Sequence, residues 1–271
     1  MRNRSAPSLW SAFAQLRKEV RNWRTVGPLT AIVMPTRIPP RRGLGGTWLG
    51  KRAVTFYMKD GSQIKCRLQD AGDPISVYLD HDYADQGINW GALRTIIDVG
   101  ATTGCFTVWG SRLAPQAYII AIEPNPDVYP YLVRNVTENG LSSRVTTVPA
   151  ALGAANGIGH MINQTYSTLG SVSIGASREA KPIKVETLTQ LLENHAIQHC
   201  DLLKMDCEGA EYEILLTAST QALRRIDYVV CEFHPHETYD VNQLSNRLKD
   251  AGFNVTHDIG PVGFLRARQL D

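Results

Sequence analysis

From residue 94 onward, short apolar runs alternate with amphipathic segments, and this alternation restricts the fold more than any other feature of the chain. The apolar runs predict strands over 94–99, 117–122, 144–150, 201–206 and 226–232, and the segments that follow them predict helices over 104–113, 127–139, 187–195, 210–217 and 241–251. Strands joined by helices make right-handed crossovers and therefore pair in parallel. Two last strands, 253–257 and 262–266, flank Gly260-Pro261 and add an antiparallel hairpin. The sequence predicts an α/β, Rossmann-like fold with a mostly parallel seven-stranded sheet over residues 91–271.

A hairpin precedes this sheet. Residues 53–58 and 63–68 read as two strands around Asp60-Gly61, where glycine supplies the positive φ that a tight turn needs. We expect residues 53–90 to form this hairpin and a connecting segment, and to act as a candidate substrate cap.

The first 52 residues form a basic arm, with eleven Lys or Arg and one acid, Glu19. Residues 8–26 predict an amphipathic helix whose apolar stripe includes Leu9, Val20 and Trp23, and residues 35–50 are a Pro/Gly-rich linker. The stripe either docks on the chain's own domain or makes peripheral contact with an anionic membrane. Nucleic acid is not expected as a partner, because no recognised binding motif accompanies the charge.

The cysteines and the hydropathy pattern indicate a compartment. Five cysteines, odd in number and never spaced C-x-x-C, argue against a disulfide scaffold and a zinc–thiolate site, and favour the reducing cytoplasm. The sequence shows no apolar run of the roughly 20 residues that cross a bilayer and no signal-peptide pattern. We expect a cytoplasmic protein, with the inner membrane face as the place of any peripheral contact.

The first candidate site is 98-DVGATTG-104, at the carboxyl end of the first main strand, where open parallel sheets bind ligands. Gly100 and Gly104 allow a tight turn and close backbone approach to a ligand. A carboxylate at Asp98 would repel a pyrophosphate but attract an ammonium group, which favours S-adenosylmethionine over a dinucleotide. The alternative is an Asp that caps the following helix.

Three further strand ends carry polar residues. Glu123 follows the second strand and can accept two ribose hydroxyls. Lys204 and Asp206 share one side of a later strand, and a lysine there requires an acidic partner. Glu208 begins the next helix, where an acid also suits the helix dipole. Glu232 and His234 share side-chain parity at the end of the neighbouring strand.

Together these segments resemble the FkbM family of S-adenosylmethionine-dependent methyltransferases. The resemblance covers roughly residues 94–235 and rests on "IIDVGATTGCF", "IAIEPNP", "VPAALG", "VETLTQLL", "CEFHP" and above all "DLLKMDCEGAEYEIL". The glycine loop and Glu123 are general to class I methyltransferases, whereas the D-x-E-G-A-E run is specific to this family. The resemblance implies S-adenosylmethionine as the cofactor.

The resemblance also implies roles for individual residues. The methionine part of the cofactor would lie against Asp98, Gly100, Ala101 and Gly104. Glu123 would hold the ribose, with Pro124 and Asn125 beside the adenine, and Ala151 and Leu152 would flank the adenine from the next strand. Asp206 and Glu208 match the family's signature acids near the transferred methyl group, and Tyr83 would cover the pocket.

Methyl transfer to a hydroxyl requires in-line alignment and a group that takes up the proton. We hypothesise that Asp206 or His234 is this base and that Glu232 holds the histidine or the acceptor. Lys204 is a further candidate catalytic residue. A divalent metal on Asp206, Glu232 and His234 is an alternative that we do not favour, since their spacing across strands is not fixed by sequence.

The expected acceptor is a small molecule or glycan, methylated on a hydroxyl of a glycan, a sugar or a secondary metabolite. Two other classes of function compete with this interpretation. One is an NAD-dependent oxidoreductase, which Asp98 and the incomplete glycine pattern disfavour. The other is a non-catalytic, membrane-attached binding module that retains the fold.

Overall fold

A computed structural model describes residues 19–21, 50–80, 83–84, 87–161, 172–173 and 181–270. The strands are β1 Ala53–Tyr57, β2 Gln63–Arg67, β3 Thr95–Val99, β4 Tyr118–Ile122, β5 Val145–Val148, β6 Ala150–Leu152, β7 Gly157–Met161, β8 Val172–Ser173, β9 Lys181–Glu186, β10 Cys200–Asp206, β11 Ile226–Phe233, β12 Phe253–His257 and β13 Gly263–Gln269. The helices are α1 Gly72–Ile75, α2 Cys105–Leu113, α3 Tyr129–Glu138, α4 Leu188–Asn194, α5 Ala210–Thr217, α6 Thr220–Leu223 and α7 Val241–Asp250.

The main sheet has seven strands in the order β5-β4-β3-β10-β11-β13-β12. The first five are parallel, whereas β13 lies antiparallel between β11 and β12. The predicted α/β fold with an antiparallel C-terminal hairpin is therefore confirmed. In this topology the carboxyl ends of β3, β4, β10 and β11 meet at one edge, which is where the polar strand ends of the sequence converge.

Both faces of the main sheet are buried, because a different hydrophobic layer covers each face. Ile96 and Ile97 point to opposite faces and are both fully buried. One layer holds Ile96 and the residues of α2 and α3, and the other holds Ile97 and the residues of α4, α5 and α7. Strands that are buried on both sides read as continuous apolar runs, which is why these strands were predictable.

A second sheet was not predicted. The strand expected over 144–150 ends at Val148, and the chain then starts a separate four-stranded sheet in the order β6-β9-β7-β8. Its strands are short, and β7 and β9 each begin with two exposed residues. Such strands lack the apolar runs that mark the main sheet.

The predicted hairpin is confirmed, and it packs on α3. Gly61 has φ +88° in the turn, and the Ser62 amide donates to the Asp60 carboxylate at 2.8 Å. The side chains of Asn135 and Asn139 each hydrogen-bond both the amide and the carbonyl of a β2 residue, at 2.7–3.0 Å. Buried residues of the hairpin join the same hydrophobic layer as Ile96.

The basic arm is described only at residues 19–21. There Val20 forms an antiparallel bridge with Met58, the Arg21 amide donates to the Tyr57 carbonyl and the Lys59 amide donates to the Glu19 carbonyl. The helix predicted over 8–26 is therefore wrong at residues 20 and 21, because the backbone groups pair with the hairpin. Residues 1–18 and 22–49 lie outside the described residues. Within the described ranges, no helix is long and apolar enough to span a membrane.

Candidate active site

A cavity of about 350 Å³ opens at the carboxyl ends of β3, β4 and β10. Its floor is formed by the loop after β3, the residues after β4 and the start of α5. The residues of β6 and the segment 235–238 form its sides. Of the predicted cofactor residues, the cavity is lined by Gly100, Glu123, Pro124, Ala151, Leu152, Asp206 and Glu208.

The glycine loop lies against the end of β10. Gly100 has φ +71°, and a Cβ on it would lie 1.8 Å from the Asp206 carbonyl oxygen. The amides of Gly100 and Ala101 both donate to the Ile122 carbonyl, which connects the loop to β4 as well. Glycine is required here both for the left-handed backbone and for the close contact between β3 and β10.

Thr102 continues this loop with a φ of +48°, a strained conformation for a β-branched residue. Its amide donates to Glu123 at 2.8 Å, and its hydroxyl donates to Asp73 at 2.6 Å. These two bonds hold the strained residue on the cavity wall. Asp73 belongs to α1, so the segment upstream of β3 supports the cofactor loop.

Glu123 lies at the end of β4, as predicted, and is 5% exposed. Its Oε1 accepts from the Asn125 amide at 2.7 Å and its Oε2 from the Thr102 amide at 2.8 Å. Burial raises the pKa of Glu123 to about 7, although these two hydrogen bonds oppose the shift. Each carboxylate oxygen keeps a further lone pair for a ligand hydroxyl.

Asp98 does not line the cavity, which corrects the role expected for it. It is fully buried, with its carboxylate 3.0 Å from the Lys204 ammonium and accepting from the Thr107 hydroxyl at 2.6 Å. The ammonium group that Asp98 attracts is therefore that of the chain's own Lys204. The acidic partner expected for this lysine is Asp98, and the helix-cap alternative is not observed either, because no side chain caps α2.

Lys204 likewise lies beneath the site rather than in it. Its Nζ donates to the Gly100 carbonyl at 3.0 Å and lies 5.2 Å from the ring centre of Tyr83 and 5.6 Å from that of Phe106. Burial would lower its pKa, but the carboxylates of Asp98 and Asp206 raise it above its usual value. The side chain therefore stays charged, and its contacts are those of a positioning residue.

Three other predicted cofactor residues are off the cavity wall. Ala101 is buried in the loop, and Gly104 begins α2 with φ +84°, where a Cβ would lie 2.8 Å from Leu132. The side-chain oxygen of Asn125 accepts from the Asp127 amide, so it closes the turn after β4. These residues shape the loops around the cavity and do not line it.

An acidic cluster surrounds His234 beside the cavity. The imidazole Nε2 lies 3.9 Å from Asp206, 3.7 Å from Glu208 and 3.9 Å from Glu232. Asp206 and Glu232 are partners in the β10–β11 register, so the two carboxylates stand side by side at adjacent strand ends. The structure thus brings together the strand-end residues that the sequence singled out.

Glu211 holds His234 from below, and sequence analysis missed this role. Its fully buried carboxylate accepts from the His234 amide at 2.7 Å, lies 3.3 Å from the His234 Nδ1 and accepts from the Gly209 amide at 2.8 Å. A glutamate in the first turn of a helix is explained by the helix dipole alone, so its contact with His234 was not predictable from its position.

Tyr83 connects the two strand-end carboxylates. Its hydroxyl lies 2.9 Å from the Asp206 Oδ2 and 3.1 Å from the Glu232 Oε2, and donates its proton to one of them at a time. Its ring contacts Phe106 and Phe264 edge-on. Tyr83 is 3% exposed and does not line the cavity. The predicted pocket cover is therefore a buried support of the acidic cluster.

Mutual repulsion and burial shift the pKa values in this cluster. Burial and the neighbouring Asp206 raise the pKa of Glu232 to about 7, and burial raises that of Glu208 to about 8. Burial would lower the pKa of His234, but the hydrogen bond to Glu211 and the surrounding carboxylates raise it to about 9. A protonated imidazole cannot accept a proton, so this raised pKa favours a carboxylate over His234 as the base.

Comparison with known proteins decides the family. The family model described as the methyltransferase FkbM domain matches residues 98–255, which is more than half of the chain. The chain belongs to the FkbM methyltransferase family. It is an S-adenosylmethionine-dependent methyltransferase, so the oxidoreductase interpretation is wrong.

Individual relatives agree with this assignment. The chain is 28% identical to methyltransferase sdnD of Sordaria araneosa over 217 residues, 67% of this chain and 81% of that protein. It is 28% identical to the hexuronic acid methyltransferase AglP of Haloferax volcanii over 154 residues, 56% of this chain and 61% of that protein. The structure of the METTL16 MTase domain has a TM-score of 0.52 at 15% identity, covering 100% of this chain and 96% of that one, and shares the fold.

The charge of the cavity is one-sided in this FkbM methyltransferase. Five carboxylates line it, and among its described lining residues none is Lys or Arg; the five are Glu123, Asp206, Glu208, Glu213 and Glu237. The electrostatic preference first attributed to Asp98 therefore belongs to the cavity as a whole. A cationic ligand is attracted to such a wall, and a pyrophosphate is repelled.

Two groups of side chains in the described part of the chain have metal-ligand geometry. Ligand atoms of Asp206, Glu208 and His234 lie within 4.8 Å of one another, a set that differs from the predicted one by Glu208 in place of Glu232. The second group is His199, Asp201 and Asp227, at the opposite end of β10 and β11. In the first group Glu211 contacts the Nδ1 of His234, which leaves the Nε2 facing Asp206 and Glu208.

Proposed function

We propose that this FkbM methyltransferase is an O-methyltransferase that acts on a hydroxyl of a glycan, a sugar or a secondary metabolite. The observation that carries the proposal is the pair formed by Asp206, on the wall of an acidic, glycine-floored cavity, and Glu232, its register partner on β11. A hydroxyl is a poor nucleophile, and this pair supplies a proton acceptor next to the place where a cationic methyl donor would bind.

The residues of the cavity fit S-adenosylmethionine. Gly100 lines the cavity with its backbone alone, and Glu123 offers free lone pairs to ribose hydroxyls. Ala151 and Leu152 give a flat apolar wall suited to adenine. The carboxylate of Asp206 lies on the same wall, where a sulfonium would be stabilised.

When bound, S-adenosylmethionine supplies a methyl group on a positively charged sulfur, which leaves as a neutral thioether. Glu232 takes the proton of the acceptor hydroxyl, because a pKa of about 7 suits proton uptake at neutral pH. Tyr83 and protonated His234 hold the carboxylates in place. The positive charge of the sulfonium and the negative charge of Glu232 are lost together in the transfer.

The name of one relative supports a sugar as the class of acceptor. AglP is named as a methyltransferase of hexuronic acid, a sugar derivative. Sugar derivatives present several hydroxyls, which fits the proton acceptor proposed here. We place the reaction in the cytoplasm, which the five unpaired thiols support. Burial of Val20 supports docking of the basic arm on the chain itself, so membrane contact is not part of the proposal.

Calorimetry tests the cofactor part of this proposal. S-adenosylhomocysteine is expected to bind the wild type, and NAD is not. Glu123→Ala is expected to lose affinity by about a hundredfold, because two ribose hydrogen bonds to a charged group are removed. Glu138→Ala, on the exposed face of α3, is the matched control and should bind normally. Binding of NAD, or normal binding by Glu123→Ala, contradicts the assignment.

Product analysis tests the reaction itself. Purified enzyme is incubated with S-adenosylmethionine carrying a labelled methyl group and a panel of hydroxylated sugars and alcohols, together with amine and thiol acceptors. The label is expected on oxygen, as shown by mass fragmentation of the product. Label found on nitrogen or sulfur would contradict O-methylation and leave the cofactor assignment intact.

A further inference from the structure

A second cavity, of about 440 Å³, adjoins the first. It lies where the exit of β11, the start of α7 and the turn between β12 and β13 meet. Pro235 and His236 line both cavities, so the segment that carries them is the wall between the two. His234 also lines the second cavity and lies 3.7 Å from Glu208 of the first.

Three aromatic rings form one side of this second cavity. Tyr239 stacks on His236 with ring centres 4.8 Å apart and an interplanar angle of 28°. Tyr212 stacks on Tyr239 at 6.0 Å and 21°. Tyr212 is buried and anchors the group, whereas Tyr239 and His236 are half-buried. Flat rings of this kind pack against the C–H face of a saturated ring.

Polar groups on the same walls have fixed hydrogen-bonding roles. The Nδ1 of His236 accepts from the amides of Thr238 and Tyr239, so the ring is neutral and carries its proton on Nε2 as a donor. The Nδ1 of His257 faces the Asp258 carbonyl at 2.9 Å and must donate to it, which leaves its Nε2 for a ligand. Donors and acceptors around an aromatic wall match a polyhydroxylated ring.

The charge of the second cavity selects against anions. Asp240 and Asp258 line it, and none of its described lining residues is Lys or Arg. Each carboxylate accepts from a backbone amide and is held in position, Asp240 at the start of α7 and Asp258 opposite Phe264. His234 also lines the cavity, but four carboxylates already surround its imidazole, so a carboxylate or phosphate on the ligand would meet Asp240 and Asp258 without a free compensating cation.

We propose that this second cavity, the acceptor cavity, binds the sugar ring whose hydroxyl is methylated, and that it selects an uncharged sugar. The inference rests on the proposed function. The ring lies against Tyr239 and His236, and its hydroxyl reaches past His234 to the Asp206–Glu232 pair. This selectivity for an uncharged sugar differs from that of AglP, which is named as a methyltransferase of hexuronic acid.

Saturation-transfer NMR on the complex with S-adenosylhomocysteine tests this. The probes are methyl glycosides of common neutral hexoses, each paired with its uronate. Neutral glycosides are expected to bind, and the uronates to bind at least about tenfold more weakly. Tyr239→Ala is expected to weaken glycoside binding by about tenfold, while Tyr239→Phe keeps the ring and the affinity. Tyr57→Ala, an exposed tyrosine on β1, is the control and should behave as wild type.

A second variant keeps the test independent of the folding of Tyr239→Ala. Asp240→Asn/Asp258→Asn preserves both amide acceptors but removes the charge, and is expected to bring uronate affinity to within about threefold of the neutral glycoside. The proposal is overturned if no neutral glycoside binds, if wild-type enzyme binds uronates equally well, or if folded Tyr239→Ala binds normally. Binding of S-adenosylhomocysteine in the same samples separates these failures from a failure of the proposed function.

Discussion

The carboxylates and the imidazole at the ends of β10 and β11 predict the pH dependence of the reaction. Glu232 must lose its proton to act as base, so kcat/KM should rise as pH increases through about 7. His234 keeps its charge up to about pH 9, and loss of that charge removes the counter-ion of the carboxylates. We therefore expect a bell-shaped profile with limbs near these two values, measured as initial rates across pH.

Matched variants assign the two limbs. Glu232→Gln should remove the acidic limb and lower kcat by about a hundredfold or more. His234→Gln should remove the alkaline limb while methyl transfer continues at neutral pH. An acidic limb that survives in Glu232→Gln would move the role of base to Asp206. Loss of all activity in His234→Gln, with S-adenosylhomocysteine still bound, would restore the imidazole as base.

Replacement of Lys204 tests the buried ion pair. Lys204→Met leaves the carboxylate of Asp98 buried without its counter-ion, which should lower the free energy of unfolding by about 3–5 kcal/mol. Asp98→Asn/Lys204→Met removes both charges and should recover part of that loss. Lys51→Met, at an exposed position, is the control. Urea unfolding measures all three, and equal stability of Lys204→Met and wild type would show that the pair contributes nothing.

This pair also shows what the sequence could predict about single residues. The need of Lys204 for an acidic partner followed from its place in an apolar strand, and the structure supplies that partner. That the partner is Asp98 was not predictable, because the two residues are 106 positions apart and meet only through the β3–β10 register. Glu123 was placed correctly because its role depends only on its own strand end.

At the scale of elements, the contact between the glycine loop and β10 can be tested with two glycines that have nearly the same φ. Gly100 has φ +71° and Gly140 has φ +70°, but only at Gly100 would a Cβ meet other atoms. Gly140→Ala should cost about 1 kcal/mol from backbone strain alone. Gly100→Ala should cost more and abolish binding of S-adenosylhomocysteine, because the loop must move away from Asp206.

Thermal unfolding and calorimetry on both variants separate strain from contact. If Gly100→Ala binds the ligand as well as Gly140→Ala does, the close approach of β3 to β10 is not needed for the cofactor. Comparable stability of the two variants would show that the loop shifts at no cost.

Elements differed in how far sequence determined them. The strands of the main sheet lie within two residues of their predicted bounds, except that β13 extends further beyond its predicted end. Burial on both faces gives continuous apolar runs, which makes such strands predictable. The sheet of β6–β9 escaped prediction, since its short strands pair over long distances and carry exposed residues. The bridge between Val20 and Met58 was not predictable either. A single buried valine fits both a β-bridge and the apolar stripe of an amphipathic helix.

For the molecule as a whole, the shifted groups predict that stability falls with pH. Burial raises the pKa of four carboxyl groups to about 7 or 8, those of Asp73, Glu123, Glu208 and Glu232. The unfolded chain releases these protons near pH 4. Between about pH 4 and pH 8 the folded state therefore binds more protons than the unfolded chain, and it is destabilised as pH rises. His234 acts in the same direction, since its folded pKa of about 9 exceeds the unfolded value. Tm should therefore fall between about pH 5 and pH 9, and a rise over that range would contradict the shifts.

The same charges predict how the enzyme distinguishes its methyl donor from the spent product. S-adenosylmethionine and S-adenosylhomocysteine carry the same amino and carboxylate groups and differ in the sulfonium charge, so their affinity ratio isolates that charge. As pH rises from about 6 to about 8.5, Glu123 and Glu208 ionise on the cavity wall, and the ratio should shift toward S-adenosylmethionine by severalfold. Calorimetry at both pH values measures this, and Glu208→Gln should reduce the shift. A ratio that does not change with pH would mean that the carboxylates do not act on the sulfonium. Product release would then depend on contacts other than the lost charge.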